Sequence, residues 1–298
     1  MQTVAVVLVP AVFIPALFAE SMWTRVASFS RTLPHPSSSS KVSLPLLELW
    51  HSTDIVSMQP LLPLAWQPCR GDPVLPTRHS LVNPANERLE GTEFSYFPRG
   101  GPTPEHERGW NSSWWGGMTA GDNMLYPTQT VDGRVHAEGG LELKEALHLV
   151  RAAASSNFTA FSFGTSHETR AFGALLRYGL THVVHTVTPF YSTLQSDQLL
   201  AACYQTALDT AAASGLASVG RATSRAVIVA PLLGAGTRGF PVDKAAEIGS
   251  HAVDAWLSEQ REQPPLVRLV AHSMNDAQSW MSALRRRQSL LHLVDVEN

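Results

Sequence analysis

The sequence predicts an alternating α/β fold in which helices cover both faces of one sheet. Short apolar stretches rich in β-branched residues alternate with longer stretches whose apolar residues repeat at helical spacing. At 298 residues, 44% hydrophobic and 16% charged, the chain is long enough to bury a sizeable core. Strands that alternate with helices favour a mostly parallel sheet, which needs cover on both faces.

Each element is predicted from its own local pattern. Five short apolar stretches are predicted to be strands, namely residues 46–50, 78–82, 183–187, 226–230 and 267–271. One helix is predicted at residues 140–154, and a last one from about Asp276 to Arg287. Two further helices are predicted to begin at Ser196 and at Asp243. Ser196 and Asp243 are predicted N-caps, because their short polar side chains accept hydrogen bonds from N–H groups of the first turn.

A glycine-rich loop at residues 230–241 follows one predicted strand and precedes a predicted helix. This combination predicts an anion-binding loop, because glycines let backbone N–H groups approach phosphate oxygens and the helix N-terminus adds favourable partial charge. Gly234, Gly236 and Gly239 are the glycines expected to do this. The alternative is a plain turn between a strand and a helix, with no ligand.

Four segments carry a family resemblance. They are Asn-Pro-Ala-Asn at 83–86, Val-Asp-Gly-Arg-Val-His at 131–136, His-Thr-Val-Thr-Pro at 185–189, and the loop from Gly234 to Pro241. In this order they resemble motifs of the macrodomain family, whose members bind ADP-ribose, and the second resembles the hydrolase-type members. The resemblance extends from about Leu44 to Arg287. It implies a three-layer α/β/α fold with a mixed, mostly parallel central sheet.

The resemblance also implies catalytic residues. Asn86, Asp132 and His136 are expected to act at the distal ribose, with Asp132 orienting or activating a water molecule and His136 positioning that carboxylate. Asp132 and His136 are four residues apart, so on a helix they share one face. Without the resemblance, Asp132 would be interpreted as a helix cap and His136 as a core histidine. Asn83 and Asn86 would be interpreted as turn-forming residues.

Three segments are expected to bind the ligand. Asp54 and Ile55 resemble the Asp-Ile pair whose carboxylate accepts the adenine amino group in the family, and Asn83 ends a predicted strand. The loop contributes Gly234, Ala235, Gly236, Thr237, Arg238, Gly239 and Phe240. Arg238 replaces an aromatic residue of the family and either pairs with phosphate or is solvated. Phe240 packs on adenine or ribose, or belongs to the core.

The predicted organisation has three parts. Residues 1–43 are expected to be a leader, a transit segment or a disordered extension, since residues 1–19 are almost wholly apolar and the next stretch is basic and serine-rich. Residues 44–290 are expected to form the macrodomain, and residues 291–298 a tail. An insertion at 87–130 replaces the glycine run of the family. The expected location is cytoplasmic or organellar.

Composition excludes several function classes. With 22 Lys and Arg against 25 Asp and Glu, the net charge of −3 gives no basic excess for nucleic acid. The two cysteines form no CxxC pair, so we expect no metal and no cofactor, and the short apolar N-terminus predicts no stable membrane association.

Two functions follow from the resemblance. The first is hydrolysis of an ADP-ribosyl linkage, in mono-ADP-ribosylated protein or in O-acyl-ADP-ribose. The alternative is a reader module, which binds ADP-ribose or an ADP-ribosylated protein without turnover. A third hypothesis is a macrodomain-like structure that no longer binds a ligand, but the intact glycine loop disfavours it.

Overall fold

The structure is a computed structural model in which one mixed sheet carries the fold. It describes residues 23–34, 41–56, 78–91, 97–98, 124–125, 129–154, 161–216, 226–260, 264–287 and 292–296. The strands are β1 (Trp23–Pro34), β2 (Lys41–Ser52), β3 (His79–Ala85), β4 (Phe97–Pro98), β5 (Met124–Leu125), β6 (Ser166–Arg170), β7 (His182–Val187), β8 (Val227–Pro231), β9 (Leu266–Ala271) and β10 (His292–Val296). The helices are α1 (Val131–Ala153), α2 (Ala174–Arg177), α3 (Ser196–Leu216), α4 (Val242–Glu259) and α5 (Met274–Arg286).

The main sheet has eight strands in the order β10-β1-β2-β9-β8-β3-β7-β6. Its five central strands, from β2 to β7, run parallel to one another. The outer strands β1, β10 and β6 pair antiparallel with their neighbours. The two short strands β4 and β5 form a separate antiparallel pair. The predicted mixed, mostly parallel sheet is therefore confirmed.

Alternate residues of the central strands point to opposite faces, where they enter two different clusters of buried apolar side chains. Val82, Val184 and Ile228 pack with helices α3, α4 and α5 on one face. Their chain neighbours, Leu81, Val183 and Val229, pack with α1 and α2 on the other face. This arrangement gives the three layers of an α/β/α fold. None of the helices in the described ranges has both the length and the apolar character that a membrane crossing requires.

The sheet extends beyond the predicted bounds of the folded region. β1 pairs with β2 from Trp23 opposite Ser52 to Pro34 opposite Lys41, and β10 adds the edge strand beside β1. Ala27 and Phe29 of β1 are buried in the core. The expected macrodomain boundaries at residues 44 and 290 leave out β1 and β10, which pair antiparallel within the same sheet. The predicted leader up to residue 22, and most of the predicted insertion, lie outside the described residues.

Helix α1 begins earlier than the pattern at 140–154 predicts, and it is kinked. Thr130 is its N-cap and accepts a hydrogen bond from the Gly133 N–H, so Asp132 lies in the first turn and is not the cap. At Gly140 the backbone has φ 63° and ψ −154°, a conformation that essentially only glycine adopts. Gly173, before α2, packs against this kink, where a Cβ atom would lie 2.5 Å from the Glu138 carbonyl oxygen.

The predicted cap of α4 is wrong. The helix begins after Pro241, which makes no side-chain cap hydrogen bond, and Asp243 lies in the first turn. Proline fits this entry because its fixed φ suits the start of a helix and its missing N–H is not needed there. Asp243 therefore acts on the helix dipole rather than as the cap.

Candidate functional site

The candidate site lies where three parallel strands end. β3 lies between β7 and β8 and runs parallel to both, so Ala85, Val187 and Pro231 end at the same edge of the sheet. The first turn of α1 and the glycine loop after β8 lie at this edge. In open α/β sheets, the carboxyl ends of the strands are where ligands bind.

Asp132 is the central carboxylate of the site, and the structure brings it together with Asn83 and His136. Asn83 Nδ2 donates a 2.8 Å hydrogen bond to Asp132 Oδ1. His136 Nε2 lies 3.5 Å from the same oxygen, as their spacing on one helix face predicts. Burial raises the pKa of Asp132, while His136, the Asn83 hydrogen bond and Arg238 act in the opposite direction. A buried carboxylate with these partners is suited to hold or deprotonate a water molecule.

Three buried polar atoms near the ends of β3 and β7 and in α1 lack hydrogen bonds within the described residues. Asn83 Oδ1 and the hydroxyl of Thr188 are buried and have no partner among the described residues. His136 Nε2 likewise makes no hydrogen bond of good geometry there. Such buried groups carry a desolvation cost that a bound polar ligand would relieve. Within the described residues, no group of three His, Cys, Asp or Glu side chains is arranged to hold a metal ion.

His185 on β7 is a site residue that the sequence reasoning missed. It is fully buried, with its Nδ1 atom 3.1 Å from Asn83 Nδ2 and its Nε2 atom 3.0 Å from the Thr169 hydroxyl. Burial, with smaller contributions from His136 and His167, lowers the pKa of His185 to about 3. The available signal was a polar residue inside the apolar stretch 183–187, on the same sheet face as Asn83.

Asn86 holds the loop after β3 instead of contacting Asp132. Its Oδ1 atom accepts from the Arg88 N–H at 3.0 Å, and its Nδ2 atom donates to the Gly91 carbonyl at 2.6 Å. Arg151 of α1 donates to the carbonyl oxygens of Arg88 and Leu89, which ties the same loop to the helix. These contacts correspond to the turn-forming role, and a catalytic role for Asn86 stays a prediction.

The glycine loop presents free backbone donors. The N–H groups of Ala235, Gly236 and Thr237 have no hydrogen-bond partner among the described residues. Gly236 is exposed, and a Cβ atom built on it would meet nothing within 4 Å. The backbone φ angle is positive at Gly234 and Gly239 but not at Gly236. Adjacent free N–H groups before a helix form a site that favours phosphate oxygens.

Tyr204 of α3 holds the start of the glycine loop by hydrogen bonds to its backbone. The Tyr204 hydroxyl accepts the Leu233 N–H at 2.9 Å and lies 3.4 Å from the Pro231 carbonyl oxygen, to which it donates. Tyr204 is fully buried, and burial raises the pKa of its hydroxyl. The hydroxyl therefore stays protonated and fixes the start of the loop to α3.

Arg238 and Phe240 of the glycine loop are both buried. Arg238 is not solvated, because its Nη2 atom donates to the Ala85 carbonyl at 3.0 Å and its guanidinium lies 4.3 Å from the centre of the Phe190 ring. The positive charge of Arg238 acts to lower the pKa of Asp132. The Phe240 ring lies in the core cluster, 5.2 Å from the Tyr191 ring. A direct ligand contact by either side chain stays a prediction.

Asp54 and Ile55 follow β2, near the start of α1. Asp54 Oδ1 accepts the Val56 N–H at 3.1 Å, and Arg134 Nη2 donates to its Oδ2 atom at 2.9 Å. The Ile55 side chain packs in the same core cluster as α1. The predicted adenine-binding pair is thus held against α1 by an arginine that the sequence reasoning did not single out.

Comparison with known proteins identifies the family. The Macro domain family model matches residues 118–249. A macro domain-containing protein of Streptomyces griseus is 31% identical over 157 residues, which cover 52% of this chain and 80% of that protein. A macro domain-containing protein of Methanosarcina mazei is 27% identical over 171 residues, which cover 57% of this chain and 80% of that protein.

The fold is similar to a solved structure as well. The Oceanobacillus iheyensis macrodomain with ADP superimposes with a TM-score of 0.54 at 20% identity, over 89% of this chain and 98% of that chain. At this identity the similarity supports the three-layer fold alone. The sequence match to the Streptomyces griseus protein carries the assignment further, and the chain belongs to the macro domain family.

Proposed function

We propose that this protein binds ADP-ribose and hydrolyses an ADP-ribosyl linkage, in mono-ADP-ribosylated protein or in O-acyl-ADP-ribose. The observation that carries the proposal is the position of Asp132, a buried carboxylate held by Asn83 and next to His136, at the sheet edge that also carries the glycine loop. The solved macrodomain with ADP adds support for a nucleoside diphosphate ligand.

The ligand would lie along the sheet edge. The free N–H groups of Ala235, Gly236 and Thr237 suit the pyrophosphate oxygens, and Asp54 suits the adenine amino group. Fixing the pyrophosphate and the base brings the distal ribose to Asp132, so that attack by water becomes nearly intramolecular.

The chemistry is a displacement by water. Asp132 accepts a hydrogen bond from the water molecule, whose oxygen forms a new bond to the anomeric carbon of the distal ribose or to the acyl carbon of an ester. The bond to the leaving group breaks, the leaving group retains the electron pair, and the water's proton passes to a base at the site. His136, 3.5 Å from Asp132 Oδ1, positions this carboxylate.

A reader function is the second candidate, and Asn86 favours it. The amide of this predicted catalytic residue is taken up by bonds to its own loop, at Arg88 and Gly91. In a reader, the same glycine loop binds ADP-ribose and no water is activated.

Two measurements on the full chain separate the candidates. Calorimetry with ADP-ribose tests binding, and release of ADP-ribose from a mono-ADP-ribosylated protein and from O-acyl-ADP-ribose tests turnover. Binding with turnover is expected. Tight binding without turnover on either substrate class would leave the reader, and absence of binding would refute both functions.

A further inference from the structure

A line of buried polar side chains connects β6 with Asp132. The Thr169 hydroxyl lies 3.0 Å from His185 Nε2, His185 Nδ1 lies 3.1 Å from Asn83 Nδ2, and Asn83 Nδ2 lies 2.8 Å from Asp132 Oδ1. All four residues are buried. We call these four residues the buried relay. It crosses three neighbouring strands and reaches the first turn of α1.

With Asn83 Nδ2 facing both Asp132 and His185, the relay has one consistent set of protons. Asn83 Nδ2 carries two hydrogens, of which one points to Asp132 and the other to His185 Nδ1. His185 Nδ1 must therefore offer a lone pair, which leaves the hydrogen on Nε2 to be donated to the Thr169 hydroxyl. Burial lowers the pKa of His185 to about 3, which keeps this neutral form at ordinary pH.

The orientation of the Asn83 amide matters to Asp132. With Nδ2 towards the carboxylate, the hydrogen bond stabilises the ionised form against the burial that raises the pKa of Asp132. A flipped amide would present Oδ1 and favour the protonated acid instead. The other charged groups that act on Asp132 are His136 on α1 and Arg238 in the glycine loop, and neither contacts the Asn83 amide through a hydrogen bond in the described residues.

We propose that His185 is a positioning residue, whose Nδ1 lone pair holds the Asn83 amide in the orientation that donates to Asp132. Thr169 supports this role from the other side, since it fixes the hydrogen on Nε2. The effect on turnover rests on the hydrolase function proposed above. The protonation of His185 and the titration of Asp132 are properties of the protein without substrate, so they test the relay independently.

Nuclear magnetic resonance on the full chain gives the first test. In ¹⁵N-histidine-labelled protein, His185 is expected to show a protonated Nε2 and an unprotonated Nδ1 from pH 7 down to pH 5. In ¹³C-aspartate-labelled protein, the Asp132 carboxyl signal, assigned by its loss in Asp132→Asn, reports the titration. A protonated Nδ1 in the parent protein would overturn the proposal.

Variants then test the orientation of the amide. His185→Leu removes the acceptor and is expected to raise the Asp132 titration midpoint by about one pH unit. His185→Asn can place an amide oxygen near the former Nδ1 position, and we expect it to restore a midpoint close to that of the parent protein. Thr169→Val is expected to act in the same direction as His185→Leu but more weakly. Thr206→Val is the control, because it loses a 2.8 Å hydroxyl bond to the Gly164 carbonyl outside the relay.

Turnover provides the final readout. His185→Leu is expected to lower kcat at least about tenfold with KM within about twofold, as for groups that orient a reacting residue. An Asp132 midpoint that is the same in the parent and in every relay variant would refute the proposal. If His185→Leu does not fold, Thr169→Val and the parent spectra decide. A parent without turnover but with the expected spectra would refute the hydrolase and leave the relay standing.

Discussion

Asp54 and Arg134 form an ion pair that joins the end of β2 to the first turns of α1, with 2.9 Å between Oδ2 and Nη2. Arg134 also lies 3.3 Å from Glu138 one turn further along the helix. An adenine amino group at Asp54 would therefore share the carboxylate with a guanidinium. Arg134 lies between Gly133 and Val135, within the Val-Asp-Gly-Arg-Val-His segment of this chain.

Asp54→Ala is expected to weaken ADP-ribose binding by about 1–3 kcal/mol, the usual cost of a lost charge-assisted hydrogen bond. Ribose 5-phosphate, which has no adenine, should bind as before. Calorimetry with both ligands makes the comparison. Arg134→Ala is the control, since it breaks the ion pair but keeps the carboxylate, and it should retain adenine recognition. Equal losses for both ligands in Asp54→Ala would point to a folding defect.

Gly236→Glu is expected to abolish ADP-ribose binding without unfolding the protein. The side chain would stand beside the free N–H groups of the loop, and its charge would repel the pyrophosphate. The open space around Gly236 leaves the fold intact. Ala255→Glu, on an exposed position of α4, adds the same charge elsewhere. Unchanged affinity by calorimetry in Gly236→Glu would remove the loop from the site.

Asp132→Ala is expected to lower turnover of a mono-ADP-ribosylated substrate roughly 10²–10⁴-fold while most ADP-ribose affinity remains, because the group acts on the water rather than on the ligand. His136→Ala should act in the same direction but more weakly. Glu145→Ala removes an exposed carboxylate of the same helix and is expected to be neutral. Full activity in Asp132→Ala would transfer the role to another acid, of which Glu87 and Glu90 lie in the loop after β3.

Tyr204→Phe is expected to destabilise the protein by about 1–3 kcal/mol, because the buried Leu233 N–H loses its acceptor. ADP-ribose affinity should fall as well, since the start of the glycine loop is released. Urea unfolding and calorimetry measure the two effects. Tyr178→Phe serves as the control, because its hydroxyl bonds Glu138 rather than the loop. If affinity falls equally in both variants, Tyr204 does not act through the loop.

His79→Leu is expected to flatten the pH dependence of stability between pH 4 and 6.5. Burial, with a smaller contribution from Arg268, lowers the pKa of His79 from 6.5 to about 4. Between these values the unfolded chain binds the proton and the folded chain does not, so stability falls as the pH falls, by up to about 1.4 kcal/mol per pH unit. The lowered pKa of His185 likewise makes stability fall as the pH falls, whereas the raised pKa of Asp132 makes it rise. Both groups are still present in the variant, so their contributions to the pH dependence are unchanged.

Urea unfolding at pH 5 and pH 7 measures this difference. His148→Leu, at an exposed position of α1, is the control and should keep the slope of the parent protein. An identical pH dependence in His79→Leu would mean that His79 is not held neutral in the folded state.

The central strands were predictable from the sequence, and the outer strands were not. Strands β3, β7, β8 and β9 are buried on both faces and so read as short apolar runs. β6 has the sequence Ser-His-Glu-Thr-Arg and lies at the edge of the sheet, where one antiparallel neighbour suffices to form it. β1 alternates buried and exposed positions only in part, and its serines and arginines favoured a leader instead.

Some contacts of the candidate site were likewise predictable from the sequence, and others were not. The pairing of Asp132 with His136 follows from their helical spacing, which local sequence can show. Asn83 contacts two residues that are far apart from it in the chain. Its contact with His185 follows from the parallel register of β3 and β7, and its contact with Asp132 from the packing of α1 against β3. The burial of Arg238 has the same origin, because its partner is the carbonyl of Ala85 on another strand.

Gly173 packs closely against the backbone just before the kink at Gly140, and this contact limits how the site can be grafted onto another protein. The first turns of α1 carry Asp132 and His136, and their direction is set where the Glu138 carbonyl touches a residue without a side chain. A designer who grafts residues 131–139 onto another scaffold without the β6–α2 connection would lose that support. Gly173 would have to be transferred together with residues 131–140 to keep this contact.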